Sequence, residues 1–230
     1  MFEDFLKWLG ESFSSDSEAD KVCSTCPILP EIRYVTNVDG KGWLLVTHDS
    51  PSDPAEPTFP PLPQGLKVEV SKIENGREYF KILEGRLKGT TASVSQRNKV
   101  GSYLSTVNPH TGPATVVFNR TDGKVRFPGG ELTAITDPSN KTPIGSWLLE
   151  IPYEVHPGGA FYETDSVFSG TWFRIESESH DGVADRFLHP GNITFGCTTV
   201  TDRAGWTSLY NYLIFSRANE KDVGTLQVVV

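Results

Sequence analysis

Phe187-Leu-His-Pro-Gly-Asn-Ile-Thr-Phe-Gly-Cys-Thr-Thr-Val200 is the stretch on which the reading of this chain turns. A short apolar strand over 186–188 ends at His189, Pro190-Gly191-Asn192 reverses the chain, and Gly196-Cys197 brings it back. His189 stands eight residues before Cys197. A strand, a reversal and a return over that distance bring the two side chains to ~3–4 Å, the reach of a Cys/His pair. A thiol becomes a strong nucleophile as the thiolate, which requires a base or a cation beside it. Gly196 has no Cβ, so the backbone there takes unusual dihedrals and lets a substrate approach closely. The N–H groups around residues 195–197 then face a developing oxyanion. The residues alone also allow a plainer reading, a buried structural cysteine beside a turn histidine.

Working outward, Trp206, Leu209, Tyr210 and Leu213 recur at i, i+3, i+4 and i+7, which predicts a helix after the cysteine. Asp202 is its expected N-cap, and the helix's positive end assists the thiolate if it points that way. Upstream, 114–119 and 124–127 form a hairpin across Asp122-Gly123. Further strands are expected at 132–135, 146–151 and 171–175, with Thr142-Pro-Ile-Gly145 leading into the second of these.

Residues 31–105 read as a small β domain, with strands at 32–38, 43–47, 66–71 and 79–83 and an Asn75-Gly76 turn. Six prolines between Ser50 and Gly65 exclude a helix there and predict a loop or an extended polyproline-like connection. Phe2, Phe5, Leu6 and Leu9 form one apolar face of a short N-terminal helix, expected to dock on the body of the protein. The polar stretch after it reads as a linker, giving units at 1–30, 31–105 and 106–230.

Bulk numbers agree with a mainly β protein. The chain has 230 residues, 37% of them hydrophobic, with Gly 21 and Pro 16 supplying turns. A net charge of -8 disfavours a phosphate backbone, so nucleic acid is not expected as a partner. No run approaches the ~20 apolar residues of a spanning helix, and the acidic N-terminus does not look like a secretory signal. Three cysteines give no disulfide framework. Cys23-x-x-Cys26 lacks the second ligand pair of a zinc site and the βαβ setting of a redox motif, so no metal or cofactor is expected. Asn192-Ile-Thr194 matches a glycosylation triplet by coincidence.

The order of parts in 113–213 resembles the catalytic domain of L,D-transpeptidases, cysteine enzymes that remodel peptidoglycan cross-links. The match consists of an Ala-Thr-Val-Val-Phe strand, a second strand, Thr142-Pro143-x-Gly145, another strand, a histidine ending a strand, then Gly196-Cys197 and a helix. The short His-to-Cys spacing looks most like the toxin-type members delivered by type VI secretion. The resemblance implies an L,D-transpeptidase-like β-sandwich with a helix after the catalytic cysteine. Leu62-Pro-x-Gly-Leu-Lys-Val-Glu-Val70, then Tyr-Phe-Lys-Ile and Gly85-x-x-x-Gly89, resembles a bacterial SH3-like β-barrel, placed before it.

The resemblance also implies an activity. Cys197 attacks a carbonyl of a peptidoglycan stem tetrapeptide, His189 takes and returns the proton, and water or an amine resolves the acyl-enzyme. Partners then include stem peptides and, for an effector, an immunity protein. The place of action is the periplasm or cell wall, in a target bacterium after signal-independent secretion. His180, seventeen residues before Cys197, suits the spacing of typical members and is the alternative base, although Glu176-Ser-Glu-Ser-His180-Asp-Gly182 reads as a polar loop. Thr194, Phe195, Gly196 and Thr199 are expected at the oxyanion or substrate, and His156 along the cleft. The family carries histidine where this chain has Phe195, and Arg or Asn where it has Thr199. Asp185, Thr194 and backbone carbonyls are candidates to orient the base. His48 and His110 read as surface histidines. A catalytically inactive peptidoglycan-binding module is the alternative to an enzyme.

Overall fold

A computed structural model of the chain describes residues 30–36, 38, 40–48, 60–97, 101–176 and 186–230. The expected N-terminal helix, Cys23, Cys26, most of the proline-rich stretch, His180 and Asp185 lie outside the described residues.

The protein is mainly β. The first group of strands is β1 (Glu31–Val35), β2 (Trp43–Leu44), β3 (Thr47–His48), β4 (Leu62–Pro63), β5 (Lys67–Glu74), β6 (Arg77–Ile82), β7 (Thr91–Ser95) and β8 (Leu104–Ser105). Six of them form an antiparallel sheet in the order β3-β7-β6-β5-β1-β8, and β2 pairs with β4. The β5–β6 hairpin turns on Asn75 and Gly76, both at positive φ (51° and 72°). A two-residue loop with that geometry matches the twist of its strands, and Asn and Gly adopt it at least cost. The strand expected at 43–47 is split into β2 and β3. Leu62 and Pro63, expected in the proline-rich connection, form a short edge strand, where a residue without an N–H is tolerated.

The second group is β9 (Ala114–Asn119), β10 (Lys124–Phe127), β11 (Gly130–Ile135), β12 (Gly145–Glu150), β13 (Phe173–Glu176), β14 (Phe187–Pro190), β15 (Thr198–Val200) and β16 (Asp222–Val229). These close into a barrel in the order β10-β11-β15-β14-β13-β12-β16-β9. Two of its ladders are parallel, β14 with β15 and β16 with β9. Val116, Phe118, Leu149, Phe173, Leu188, Val200 and Leu226 fill the interior. Helix α1 (Trp206–Ile214) buries Trp206, Leu209, Tyr210 and Leu213 in the same core, the four residues its periodicity selected.

Asp202 does not cap α1. Gly205 occupies that position, and the Asp202 carboxylate accepts from the Gly205 N–H (3.2 Å) in the preceding turn. The helix also does not begin beside the cysteine. β15 intervenes, so its N-terminus lies beyond the far end of a strand that rises ~3.3 Å per residue, and a helix dipole fades over that length.

The two groups of strands share one apolar core and a polar seam. Buried Glu84 accepts from Lys67 N (2.9 Å) and Arg217 Nε (3.0 Å), and Arg217 Nη1 donates to the carbonyls of Ile214 and Ser216. His110 sits here too, its Nε2 2.7 Å from the Gly65 carbonyl, and is not the surface histidine expected. Burial, and then the nearby Arg217, hold its pKa below the usual histidine value. Among the described residues no helix is long and apolar enough to cross a membrane.

Candidate functional site

The register of three adjacent strands assembles the site. Phe173 pairs with Leu188 and Arg174 with Phe187, while Leu188, His189 and Pro190 pair in parallel with Thr198, Thr199 and Val200. Side chains alternate across a strand, so directly paired residues share a face. Phe173, Leu188 and Thr198 point into the core and are fully buried. The opposite face therefore carries Trp172, just before β13, and Arg174 on it, Phe187 and His189 from β14, and Cys197, just before β15, with Thr199 on it. Ile135 on β11, opposite Thr199, extends the His189–Thr199 row.

Cys197 stands at the entrance to β15, half-buried. Its Sγ accepts the Phe187 N–H at 3.4 Å, one residue before the β14–β15 ladder begins. Extending the parallel register puts Phe187 opposite Cys197, so His189 lies one diagonal step away on the same face.

His189 is 3% exposed. Its Nδ1 lies 3.0 Å from the Pro190 carbonyl and its Nε2 3.0 Å from Thr199 Oγ1. A carbonyl only accepts, so Nδ1 carries the proton and Nε2 is left as the basic nitrogen, facing the Thr199 hydroxyl. Burial lowers its pKa to about 4, against the opposing pull of the Pro190 carbonyl. The imidazole is therefore neutral at physiological pH and free to accept a proton, and the same burial makes it a weak base. Of the three orienting groups considered from sequence, a backbone carbonyl holds this position.

The segment before the cysteine is clamped from two sides. The Gly196 carbonyl accepts from buried Thr142 Oγ1 (3.2 Å) and from Arg186 Nη1. Arg186 also bonds Asn140 Oδ1 (2.7 Å), and Asn140 Nδ2 donates to the Phe195 carbonyl (3.1 Å). Thr142 Oγ1 lies 3.1 Å from Thr198 Oγ1 and Thr142 N donates to Thr136 Oγ1, which gives the Thr142-Pro-Ile-Gly145 element a concrete task. Gly196 has φ +116, and a Cβ there would lie 2.6 Å from Arg186 Nη1 and 2.7 Å from Asn140 Nδ2. A side chain there is strained by the backbone and must displace Arg186 and Asn140. Thr194 Oγ1 donates to the Cys197 carbonyl (3.0 Å), closing the turn.

The aromatic part of the site is a stack of three rings. Trp172 lies on His189 (centroids 3.9 Å, 20° between planes) and His156 lies on Trp172 (3.3 Å, 9°). Phe187 meets both Trp172 and His156 edge-on. The His156 Nδ1 accepts from the Gly158 N–H (3.2 Å), at the start of a 3₁₀ turn, Pro157–Tyr162, and burial holds its pKa below the usual value. A small cleft beside the stack is bounded by Tyr153, Glu154, His156, Trp172, Arg174 and Phe187.

The structure thus brings Cys197, His189, Thr199, Gly196, Thr194 and His156 into one neighbourhood. Phe195 is 84% exposed beside them, its side chain turned to solvent. Trp172, Arg186 and Asn140 were not singled out from sequence. For Trp172 the one signal was its alternation with Phe173 and Arg174 inside an expected strand. Roomier depressions lie elsewhere, between Trp43, Arg77 and Tyr103 on the first sheet and around Arg120 and Lys141 on the barrel.

No family model matches the chain, and no curated protein does. Among solved structures it is similar to an L,D-transpeptidase from Mycobacterium tuberculosis H37Rv. The two are 15% identical over 86% of this chain and 98% of that one, with a TM-score of 0.33. A likeness that distant carries no weight on what this chain does, which must be read from the site itself.

Proposed function

We propose that the chain is a cysteine-dependent enzyme of the L,D-transpeptidase or L,D-carboxypeptidase kind, acting on peptidoglycan stem tetrapeptides. The observation that carries this reading is the placement of a half-buried thiol, held by the Phe187 N–H, on the same sheet face as a buried neutral imidazole one diagonal step away.

In this mechanism the His189 Nε2 takes the Cys197 proton as sulfur bonds to the carbonyl carbon of the third stem residue. The proton then passes to the departing amine as its C–N bond breaks, leaving a thioester. Water or an acceptor amine gives up a proton to His189 while attacking the thioester, and the thiol is regenerated. The clamp on the Gly196 carbonyl fixes the peptide plane that it shares with the Cys197 N–H, so the N–H points away from Arg186 and Thr142. This orientation supports an oxyanion role for the loop. An SH3-like role in wall binding for residues 31–105, delivery as an effector and an immunity partner belong to the same reading and rest on the sequence resemblance.

One observation favours a second reading, an inactive peptidoglycan-binding module: His189 Nε2 is already occupied by Thr199 Oγ1. Purified muropeptides incubated with the wild type and with Cys197→Ala, followed by mass spectrometry, separate the two. The enzyme reading expects stem peptides that are shortened or exchanged only when Cys197 is present. Unchanged muropeptides in both samples, with the protein still retained on sacculi, would establish the binding module instead.

A further inference from the structure

His189 Nε2 faces Thr199, whereas the thiol that it serves lies at Cys197, two residues earlier on the same face of β15. Two residues of strand span ~6.6 Å, so proton transfer requires the ring to turn from one side chain toward the other. In-plane hydrogen bonds at Nδ1 and Nε2 do not by themselves stop the ring from tilting, but a flat partner at van der Waals contact does. A stacked aromatic surface resists tilt and allows sliding parallel to itself.

Trp172 is that surface. It is itself fixed on three sides: its Nε1–H donates to the Ser169 carbonyl at 2.9 Å, His156 covers its far face, and Gly158 leaves no free room for a Cβ beside its ring. A Cβ at Gly158 would lie 3.0 Å from two Trp172 ring carbons.

We propose that Trp172 is a positioning residue, a flat rail that keeps the His189 ring in one plane while Nε2 passes from Thr199 to the Cys197 thiol, with His156 clamping the rail from behind. The proposal rests on the Cys197–His189 reading but not on the identity of the substrate, so it is tested without one.

The rate at which iodoacetamide labels Cys197 in the full-length chain is followed against pH by peptide mass spectrometry, which separates Cys197 from Cys23 and Cys26. Trp172→Phe keeps a flat ring and is expected to label within ~3-fold of the wild type with the same inflection. Trp172→Leu is expected to label at least ~10-fold more slowly near neutral pH, a part of what general-base assistance supplies. Its inflection should move toward that of an unassisted thiol, about 8.5. Gly158→Ala, whose Cβ would press on Trp172 and on His156 Nδ1 (3.2 Å), should shift the profile in the same direction, and it decides the matter if Trp172→Leu does not fold. Wild-type rates and an unmoved inflection in a folded Trp172→Leu, or in Gly158→Ala, overturn the proposal. A wild-type inflection near 8.5 that His189→Ala leaves unchanged overturns the Cys–His pairing and the rail with it. Absence of muropeptide turnover with these labelling results intact counts only against the substrate.

Discussion

The His189 imidazole and the Thr199 hydroxyl meet directly across the parallel β14–β15 ladder, Nε2 to Oγ1 at 3.0 Å, and both residues are buried. Removing that hydroxyl while keeping the shape leaves a buried acceptor unpaired, which costs ~1–3 kcal/mol. Thr199→Val should therefore lower the free energy of unfolding in urea by about that amount, and Thr199→Ser should restore most of it. Equal stability of Thr199→Val and the wild type would mean that the contact contributes nothing.

The pKa of His189 gives a second prediction. Its folded value of about 4 lies below the ordinary 6.5, so the unfolded chain binds the proton more readily. Its contribution is complete above pH ~6.5 and is lost as pH falls to ~4, amounting to about 3 kcal/mol. Unfolding free energies measured from pH 7 to pH 4 should fall by about that much more in the wild type than in His189→Gln. Parallel pH curves for the two proteins would show that burial of His189 is not what lowers stability in acid.

Gly196 is the third test. Its φ of +116 combines with a space already filled by Arg186 and Asn140. Gly196→Ala should destabilise the fold by ~1–3 kcal/mol, the cost of such strain, and should slow Cys197 alkylation because the loop ahead of the sulfur must move. A crystal structure of the variant with an unmoved 195–197 backbone would contradict this.

At the seam between the sheets, Glu84 and Arg217 form a nearly dry ion pair, with 5% and 8% of their side chains exposed. Glu84→Gln strands the guanidinium, and breaking one side of such a pair costs ~3–5 kcal/mol. A loss of that order is expected in chemical denaturation, whereas a surface pair such as Lys72–Glu74 should matter by less than ~1 kcal/mol.

Local signals carried much of this architecture. Asp122-Gly123 marked the β9–β10 hairpin, the 3.6-residue spacing from Trp206 to Leu213 marked α1, and the strand at Phe187–Leu188 was visible in its own residues, although it runs on through His189 to Pro190. The remainder was set at long range. Thr198, Thr199 and Val200 are too few to announce a strand, and β15 exists because β14 and β11 hold it from either side. Trp172 reaches His189 because β13 runs antiparallel to β14, a pairing that no spacing in the chain encodes. Arg186 and Asn140 come together only through the Gly196 turn. Asp202 had the composition of a cap, but the turn at Arg203 and Ala204 put Gly205 at the helix start instead.

The parallel pairing of β16 with β9 has a consequence for how the molecule is made. Ala114 finds its neighbour in Gly224, and Asn119 in Val229. During synthesis, β9 and β12 each wait with an open edge until residues 222–229 arrive, and contacts this remote in sequence form slowly. Of the barrel's strands, the last in sequence is thus the stave that closes it, and an emerging chain carries a cysteine whose supporting barrel is still incomplete.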